Sequence, residues 1–510
     1  MRAAQLLLAA AFLAAMAATA LASDPQRLTM QPISLVGSAA AAANGEGPER
    51  YSGYFKLNRT YDAHMFFFYF QARVEPESED TPVVLWMTGG PGCSSELAVF
   101  FENGPWNINP DDLSLAETKY GWDVHHHMIF VDQPVNTGFS YSDDDRDRCF
   151  DEECVSSDML DFLQEFFKSV PKLQGRKFFV TGESYAGHYV PAVASRIFHA
   201  SQSGEAQPPI NLQGLAIGNG LTDPAIQYGA YSDYALQNKL IGPLMHQNLK
   251  LLYPACKFSL QLCDSLSWDF ECLLAVQFCQ MTQFSPIMIE NFDMNVYDIR
   301  KTCDGALCYS EFEVLDRYLN QPDVRKALGV GDREWEACNM DVHGDMMSDW
   351  GHNYDVVLPE LLTAGIRVMI YVGDQDFICN WVGNRQWVDV LPWHGSDRWP
   401  ATVEETWVVD GQEAGTVTAV DGLSFVKVAQ AGHMVPMDQP KNGLDMITRF
   451  TRGEPLATSG PALASAAARS HVRRPPTQQS SAQLLPGAVW QLRRAMPDRQ
   501  ASLTTAGSEE

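Results

Sequence analysis

Lys177-Phe178-Phe179-Val180-Thr181-Gly182-Glu183-Ser184-Tyr185-Ala186-Gly187 runs from a short apolar stretch into a serine flanked by small residues. Lys177 to Thr181 reads as a buried strand, and the apolar positions of Tyr189 to Ala200 recur at helical spacing. A serine at so sharp a strand-to-helix turn presents its hydroxyl at the end of a sheet, as a nucleophile elbow does. Small neighbours are needed because strand and helix backbones approach closely there and the serine's own dihedrals are strained. Ala186 occupies the second small position, where glycine is the commoner choice. The same letters also fit an ordinary Gly-Ser loop, so the elbow needs support from elsewhere in the chain.

Outward from this turn, residues 65–70 (Met-Phe-Phe-Phe-Tyr-Phe), Thr81 to Met87 and His127 to Asp132 read as strands. The second of these is ended by Gly89-Gly90-Pro91-Gly92. Ser157 to Val170 is an amphipathic helix with Met159, Leu160, Leu163, Phe166, Phe167 and Val170 on one face, and Leu212 to Ile217 is a further strand. Short apolar strands alternating with helices predict an α/β fold with a mostly parallel sheet covered on both faces. From 220 to 340 strand-like runs vanish, helical patterns take over and seven cysteines appear, which reads as an inserted cap lobe. The core then lies in two parts, 48–219 and 341–453. Its strands resume at Arg367 to Val372, Thr406 to Val409, Thr416 to Val420 and Ser424 to Val428, with Asp410-Gly411 and Asp421-Gly422 as turns. Residues 23–47 read as a flexible leader or the propeptide of a zymogen, and 454–510, rich in Ala, Ser, Pro and Gln, as a disordered tail.

The 510-residue chain holds 63 acidic and 36 basic side chains, a formal charge of −27. Such a surface repels phosphate backbones, which disfavours nucleic-acid partners, and it suits a compartment of low pH. Met1-Arg2, an Ala/Leu-rich run and Ala20-Leu21-Ala22 before Ser23 predict a cleaved secretory signal over 1–22; an uncleaved anchor is the competing reading. No other run approaches spanning length, so the mature chain is expected to be soluble, off the membrane. Eleven cysteines entering an oxidising compartment imply disulfides, and the odd count leaves at least one thiol free or paired between chains. None has the C-x-x-C spacing of a zinc site, so no metal or other cofactor is expected. Asn58-Arg59-Thr60 is the one glycosylation sequon.

A serine hydroxyl needs a histidine to take its proton and a carboxylate to orient that histidine. In the order that goes with an elbow, the acid and then the histidine follow the serine, each on a loop after a strand. Asp374 and Asp376 both follow Arg367 to Val372, and spacing does not choose between them. His433, in Ala431-Gly432-His433-Met434, follows Ser424 to Val428. The cluster His125-His126-His127 reads as ordinary polar residues.

Five blocks in order carry a wider resemblance: 86–95 (Trp-Met-Thr-Gly-Gly-Pro-Gly-Cys-Ser-Ser), Val131-Asp132-Gln133-Pro134, Gly182 to Gly187, 376–381 (Asp-Phe-Ile-Cys-Asn-Trp) and Gly432-His433-Met434-Val435-Pro436. The chain resembles the serine carboxypeptidases of the carboxypeptidase Y type, and most of all the plant type III enzymes, from about residue 48 to 453. The resemblance implies an α/β-hydrolase fold and hydrolysis of C-terminal residues from peptides through an acyl-enzyme. It implies Ser184 as nucleophile, His433 as base and then acid, and Asp376 rather than Asp374 as its orienter. Gly90 and Tyr185 would supply the oxyanion N–H groups. Thr88, Gly89, Glu183 and Glu102 would receive the free carboxylate of the substrate, with one of the two glutamates protonated, since adjacent carboxyls cannot both ionise cheaply. Thr88 departs from the asparagine of the yeast-type pattern, and plant acyltransferases of the same family share the threonine. An acyltransferase is therefore the alternative activity, disfavoured because those enzymes tend to carry aspartate at the position of Glu183. The resemblance further implies the pairs Cys93–Cys338, Cys256–Cys279, Cys263–Cys272 and Cys303–Cys308. Cys149–Cys154 would be an extra local pair, and Cys379 a free thiol near the site. It also implies the secretory pathway, with the vacuole or the extracellular space as destination, while a homodimer is left open.

Overall fold

The computed structural model describes residues 28–33, 47–266 and 268–457. The expected signal at 1–22 and the segment 458–510 lie outside the described residues. Thirteen strands are present among those described: β1 (Leu28–Pro32), β2 (Arg50–Lys56), β3 (His64–Phe70), β4 (Val83–Met87), β5 (Trp106–Ile108), β6 (Leu115–Glu117), β7 (His127–Val131), β8 (Phe178–Glu183), β9 (Leu212–Gly218), β10 (Arg367–Gly373), β11 (Glu405–Val409), β12 (Gln412–Val420) and β13 (Leu423–Val428). β5 and β6 form a separate ribbon, and the other eleven make one sheet in the order β1-β2-β3-β7-β4-β8-β9-β10-β13-β12-β11.

Side chains of a strand alternate between faces, so a strand that is apolar at every position must be covered on both. β3 shows this directly. Met65, Phe67 and Tyr69 join one apolar cluster, while Phe66, Phe68 and Phe70 join the other. The first face is covered by α2 and α3, with α9 also on it; the second by α1, α7, α8 and α10. Their ranges are α1 (Glu96–Phe101), α2 (Glu152–Ser169), α3 (Ala186–Ser203), α4 (Pro224–Gln237), α5 (Pro243–Leu266), α6 (Asp269–Cys279), α7 (Glu311–Leu319), α8 (Pro322–Leu328), α9 (Trp381–Val390) and α10 (Pro440–Arg452). β7, β4, β8, β9, β10 and β13 are mutually parallel neighbours, and antiparallel strands flank them on both sides. All six therefore end on one edge of the sheet, and their following loops gather there. Asp410-Gly411 and Asp421-Gly422 turn the β11-β12 and β12-β13 hairpins with all four residues at positive φ, which is the conformation a two-residue hairpin turn demands.

The expected α/β-hydrolase architecture is the one found, with three local corrections. The leader at 23–47 contains β1, which pairs with β2 along its whole length. Its small-residue surroundings hide a segment whose pairing is supplied by the neighbour's backbone. The stretch 454–510 is not structureless from its start, because Leu456 is buried in the second cluster and Ala457 bridges to Trp407. The insertion at 220–340 is also not all cap. α4, α5 and α6 form an apolar cluster of their own, but α7 and α8 pack directly on the sheet through Phe312, Leu315, Leu319 and Leu328.

Five disulfides join Cys93 to Cys338, Cys149 to Cys154, Cys256 to Cys279, Cys263 to Cys272 and Cys303 to Cys308. Two of them staple the α5–α6 hairpin. Chain-entropy arguments make the bridge across 245 residues worth far more than the one across 5. Replacing Cys93 and Cys338 by alanine is expected to cost about 5 kcal/mol, against about 2 kcal/mol for Cys149 and Cys154. Thermal melts of the two double variants check this, with the first showing much the larger drop in Tm.

Candidate active site

Ser184 lies between the end of β8 and the first turn of α3 with φ at 67°. A residue with a β-carbon pays of the order of 1–2 kcal/mol for that left-handed conformation. Backbone contacts hold it there. Ser184 N–H donates to Gly218 O at 3.1 Å, and its carbonyl accepts from Gly187 at 2.9 Å and Leu221 at 3.0 Å. The small neighbours are required by space: a β-carbon on Gly182 would lie 2.5 Å from Met87 O, and one on Gly187 2.2 Å from Leu221 O.

Asp376 follows β10 and His433 follows β13, so both reach the edge where Ser184 ends β8. His433 Nδ1 meets Asp376 Oδ2 at 2.9 Å, with both side chains buried. Asp376 is held in turn by Asn219 Nδ2 at 2.8 Å and by the N–H groups of Ile378 at 3.1 Å and Cys379 at 3.2 Å. The other candidate, Asp374, accepts instead from Gln375 Nε2 at 3.0 Å. Donation from Nδ1 to Asp376 leaves Nε2 as the lone-pair nitrogen. A strap from the insertion, residues 295–301, fixes both loops. Tyr297 O accepts from His433 N–H at 2.7 Å, Val296 O from Phe377 and Ile378, and Gln375 O from Ile299. The Tyr297 ring packs on the imidazole with centroids 5.1 Å apart, and Asp438, paired with Lys301 at 3.3 Å, accepts from Gly432 N–H at 2.6 Å.

Glu183 is the last residue of β8, and Glu102 directly follows α1. Both are buried. Among the described residues, Glu102 Oε1 and Oε2 and Glu183 Oε2 have no donor from elsewhere in the protein. Two such carboxyls can be joined only by a proton that one of them keeps. Burial is the largest influence and lifts both: Glu102 to about 7, and Glu183, with Glu102 as a neighbouring charge, well above the usual carboxylate range. The charge of His433 favours ionisation of Glu102, and that of Asp376 opposes ionisation of Glu183.

The loop after β4 closes the site. A β-carbon on Gly89 would lie 2.4 Å from Tyr185 N and 2.6 Å from Glu183 O, so this loop lies directly on the elbow. Gly90 has φ at 112°, a conformation that favours glycine. Thr88 Oγ1 accepts from Trp86 Nε1 at 3.0 Å, which leaves the hydroxyl's own proton to donate. Tyr185 is anchored by its hydroxyl, which donates to Asp349 at 2.9 Å. Cys379 is the free cysteine among the described residues, and burial first, then Asp376 and Glu183, push its thiol well up. Asn58 is exposed, with Nδ2 on Glu165 at 3.1 Å.

Comparison with known proteins gives this arrangement its family. The serine carboxypeptidase family profile matches residues 43–453. The chain belongs to that family. Serine carboxypeptidase 3 of barley (Hordeum vulgare) is 49% identical over 404 residues, covering 79% of this chain and 78% of the relative. Carboxypeptidase Y of Komagataella phaffii is 38% identical over 413 residues, covering 80% and 76%. Among solved structures, Kex1(delta)p, described as a prohormone-processing carboxypeptidase from Saccharomyces cerevisiae, matches with a TM-score of 0.72 at 26% identity, covering 82% of this chain and 94% of that one.

Three site residues were missed by sequence reasoning: Asn219, Tyr297 and Asp438. Asn219 stands in Gly218-Asn219-Gly220 after a strand, a signal that reads only as a turn. Replacing it with alanine removes one of the donors that hold Asp376. The expected result is a roughly tenfold fall in kcat, about 1.4 kcal/mol, with KM nearly unchanged. Steady-state kinetics on one peptide substrate checks it.

Proposed function

We propose that this serine carboxypeptidase releases C-terminal residues one at a time at acidic pH, with Ser184, His433 and Asp376 as its catalytic triad. The observation that carries the reading is the buried Glu102–Glu183 pair, of which Glu183 directly precedes Ser184, together with the His433–Asp376 hydrogen bond. Ser184 Oγ attacks the last peptide carbonyl as its proton passes to His433 Nε2. Asp376 stabilises the imidazolium, and the N–H groups of Gly90 and Tyr185 stabilise the oxyanion, each being worth about 3 kcal/mol. The proton then moves to the departing amine, and the C–N bond breaks. Water, losing its proton to His433, attacks the acyl-enzyme, and Ser184 recovers its hydrogen as the shortened peptide leaves.

The free carboxylate of the substrate is received by the protonated glutamate, the Thr88 hydroxyl and Gly89 N–H. An ionised pair would repel it. Keeping these protons also favours the fold, against the opposing cost of acid at His126, His127 and His188, each lowered by burial to about 3. Buried Glu102 and Asp355 are raised to about 7, Asp349 to about 6, and Glu96, Glu152 and Glu183 well above their ordinary value, in every case chiefly by burial. A carboxyl raised on folding contributes stability that is complete below its unfolded value and is lost as pH rises through the folded one. The low-pH vacuole or an acidic extracellular space fits that dependence. The acyltransferase alternative is disfavoured by Glu183 and Glu102 together, since a shared proton at this position serves a substrate with a free C-terminus.

Ser184→Ala is expected to abolish release of amino acids from blocked dipeptides. Across about pH 4 to about pH 8, KM for a peptide should rise as the pair loses its proton, while KM for the corresponding C-terminal amide stays flat. Glu183→Gln, which cannot ionise, should flatten the peptide profile. Parallel profiles for peptide and amide in the wild-type enzyme would overturn the assignment of the pair.

A further inference from the structure

A second pair of buried carboxyls lies behind the loop that carries Thr88, Gly89 and Gly90, out of reach of the substrate. Glu96 opens α1, and Asp132 follows β7; they are 1% and 0% exposed. Asp132 is committed to backbone donors, with Ser95 N–H on Oδ1 at 3.1 Å and Phe139 N–H on Oδ2 at 2.8 Å. The fit is close, because a β-carbon on Gly138 would lie 2.2 Å from Oδ2. Glu96 Oε2 accepts from the Ser94 hydroxyl and from Trp335 Nε1 at 3.3 Å, and that same indole N–H reaches Ser94 Oγ at 2.9 Å. Ser94 and Ser95, next to Glu96 in sequence, reach the two carboxyls, Ser94 Oγ on Glu96 and Ser95 N–H on Asp132, and each acid acts on the proton affinity of the other. Glu96 is the better holder of a proton, since both Asp132 oxygens already receive N–H groups whereas the two donors to Glu96 meet a single oxygen.

From this pair the hydrogen bonds run to the loop. Ser95, whose N–H rests on Asp132, donates its hydroxyl to Val131 O at 2.7 Å and accepts from Thr88 N–H at 3.2 Å. Ser94 N–H donates to Ala337 O at 2.9 Å, next to the Cys93–Cys338 bridge. The titratable groups facing the pair are Tyr54, whose hydroxyl donates to Phe139 O at 3.0 Å, and Tyr141 beyond it. The cation nearest in this direction, Arg333, stacks on the Tyr141 ring with its charge 3.0 Å from the centroid. Without a counter-ion of their own, two charges here would repel through a medium that screens poorly.

We propose that Glu96 and Asp132 are positioning residues for the reaction, a proton-sharing latch that holds Thr88 and the oxyanion glycine against the elbow. The proposal rests on the carboxypeptidase reading for its effect on rate, but not for its effect on the fold. Loss of the shared proton separates the carboxyls, frees Ser95 and lets the loop withdraw from Tyr185. The consequence is a fall in kcat at high pH that a substrate without a carboxylate also experiences. Burial is the first cause of the raised proton affinity of Glu96, and Asp132 is the second.

The test uses Glu96→Gln and Glu96→Ala in the full chain. Glutamine keeps the hydrogen bonds, accepting from Ser94 and Trp335 and donating to Asp132, but has no proton to lose. On a blocked-dipeptide ester, Glu96→Ala should lower kcat about tenfold or more. Glu96→Gln should restore most of that rate at acid pH and remove the decline of kcat at alkaline pH, with KM little moved. The second measurement needs no turnover. In Ser184→Ala protein, Tm falls as pH rises from about 4.5 through the raised value of Glu96, and adding Glu96→Gln should make that fall shallower. An unchanged dependence of Tm on pH, or alanine serving as well as glutamine, overturns the latch. An enzyme inactive on every ester and peptide overturns the carboxypeptidase reading and leaves the Tm result to stand alone.

Discussion

A carboxyl group taken out of water without a cation must either keep its proton or collect donors enough to hold its charge. The active edge of this sheet is built under that constraint. Asp376 follows the second course, with the Asn219 amide, two backbone N–H groups and the His433 imidazole around it. Glu183 with Glu102, and Glu96 with Asp132, follow the first and share hydrogens between carboxyls. The two solutions give different chemistry. A carboxylate rich in donors can stabilise an imidazolium without being protonated by it. A carboxyl that keeps its hydrogen can donate to an anion from outside.

The insertion between β9 and β10 is more than a cover over the pocket. Its 295–301 strap offers backbone carbonyls to the two loops that carry Asp376 and His433, and its ion pairs with Asp438 fix the turn before His433. Trp335, near its end, caps Glu96, and Cys338 is bonded to Cys93 in the oxyanion loop. The alignment of groups arriving on four separate strands therefore depends on a segment with no strand in the sheet. That dependence explains why the bridges cluster here: three of the five lie within the insertion and a fourth ties it to the loop after β4.

The centre of the fold could be read from the sequence because fully buried strands announce themselves as continuous apolar runs, as in β3, β4 and β8. The edge formed by β1 and β2 could not. β2 is interrupted by Gly53 and bounded by Arg50 and Lys56, and β1 draws its stability from its partner's backbone. The same division holds at the site. Ser184 and His433 stood out in the sequence because each is a residue type suited to acyl transfer on a loop after a strand. Asp374 and Asp376 were equivalent by spacing, and only a family resemblance, then the hydrogen bond to His433, distinguished them. Tyr297 contributes a carbonyl that any residue would possess, so no letter code could have pointed to its main-chain role. Asn219 was hidden for a related reason, since asparagine between glycines is what any turn contains.

In the proposed function, acid preference and chain-end recognition would follow from one cause. The substrate's carboxylate would bring a further negative charge to Glu102 and Glu183, where Asp438 and Asp376 already act. It can be accommodated only while at least one of those groups remains neutral. Aspartate in place of Glu183 would shorten the side chain by one methylene and draw its carboxyl away from Glu102, so that each acid could ionise alone. The proton would then be lost at lower pH, and with it the donor that selects a free C-terminus. In the proposed function chain-end recognition would thus rest on the length of a single side chain, and would be confined to the pH range in which two carboxyls hold one hydrogen between them.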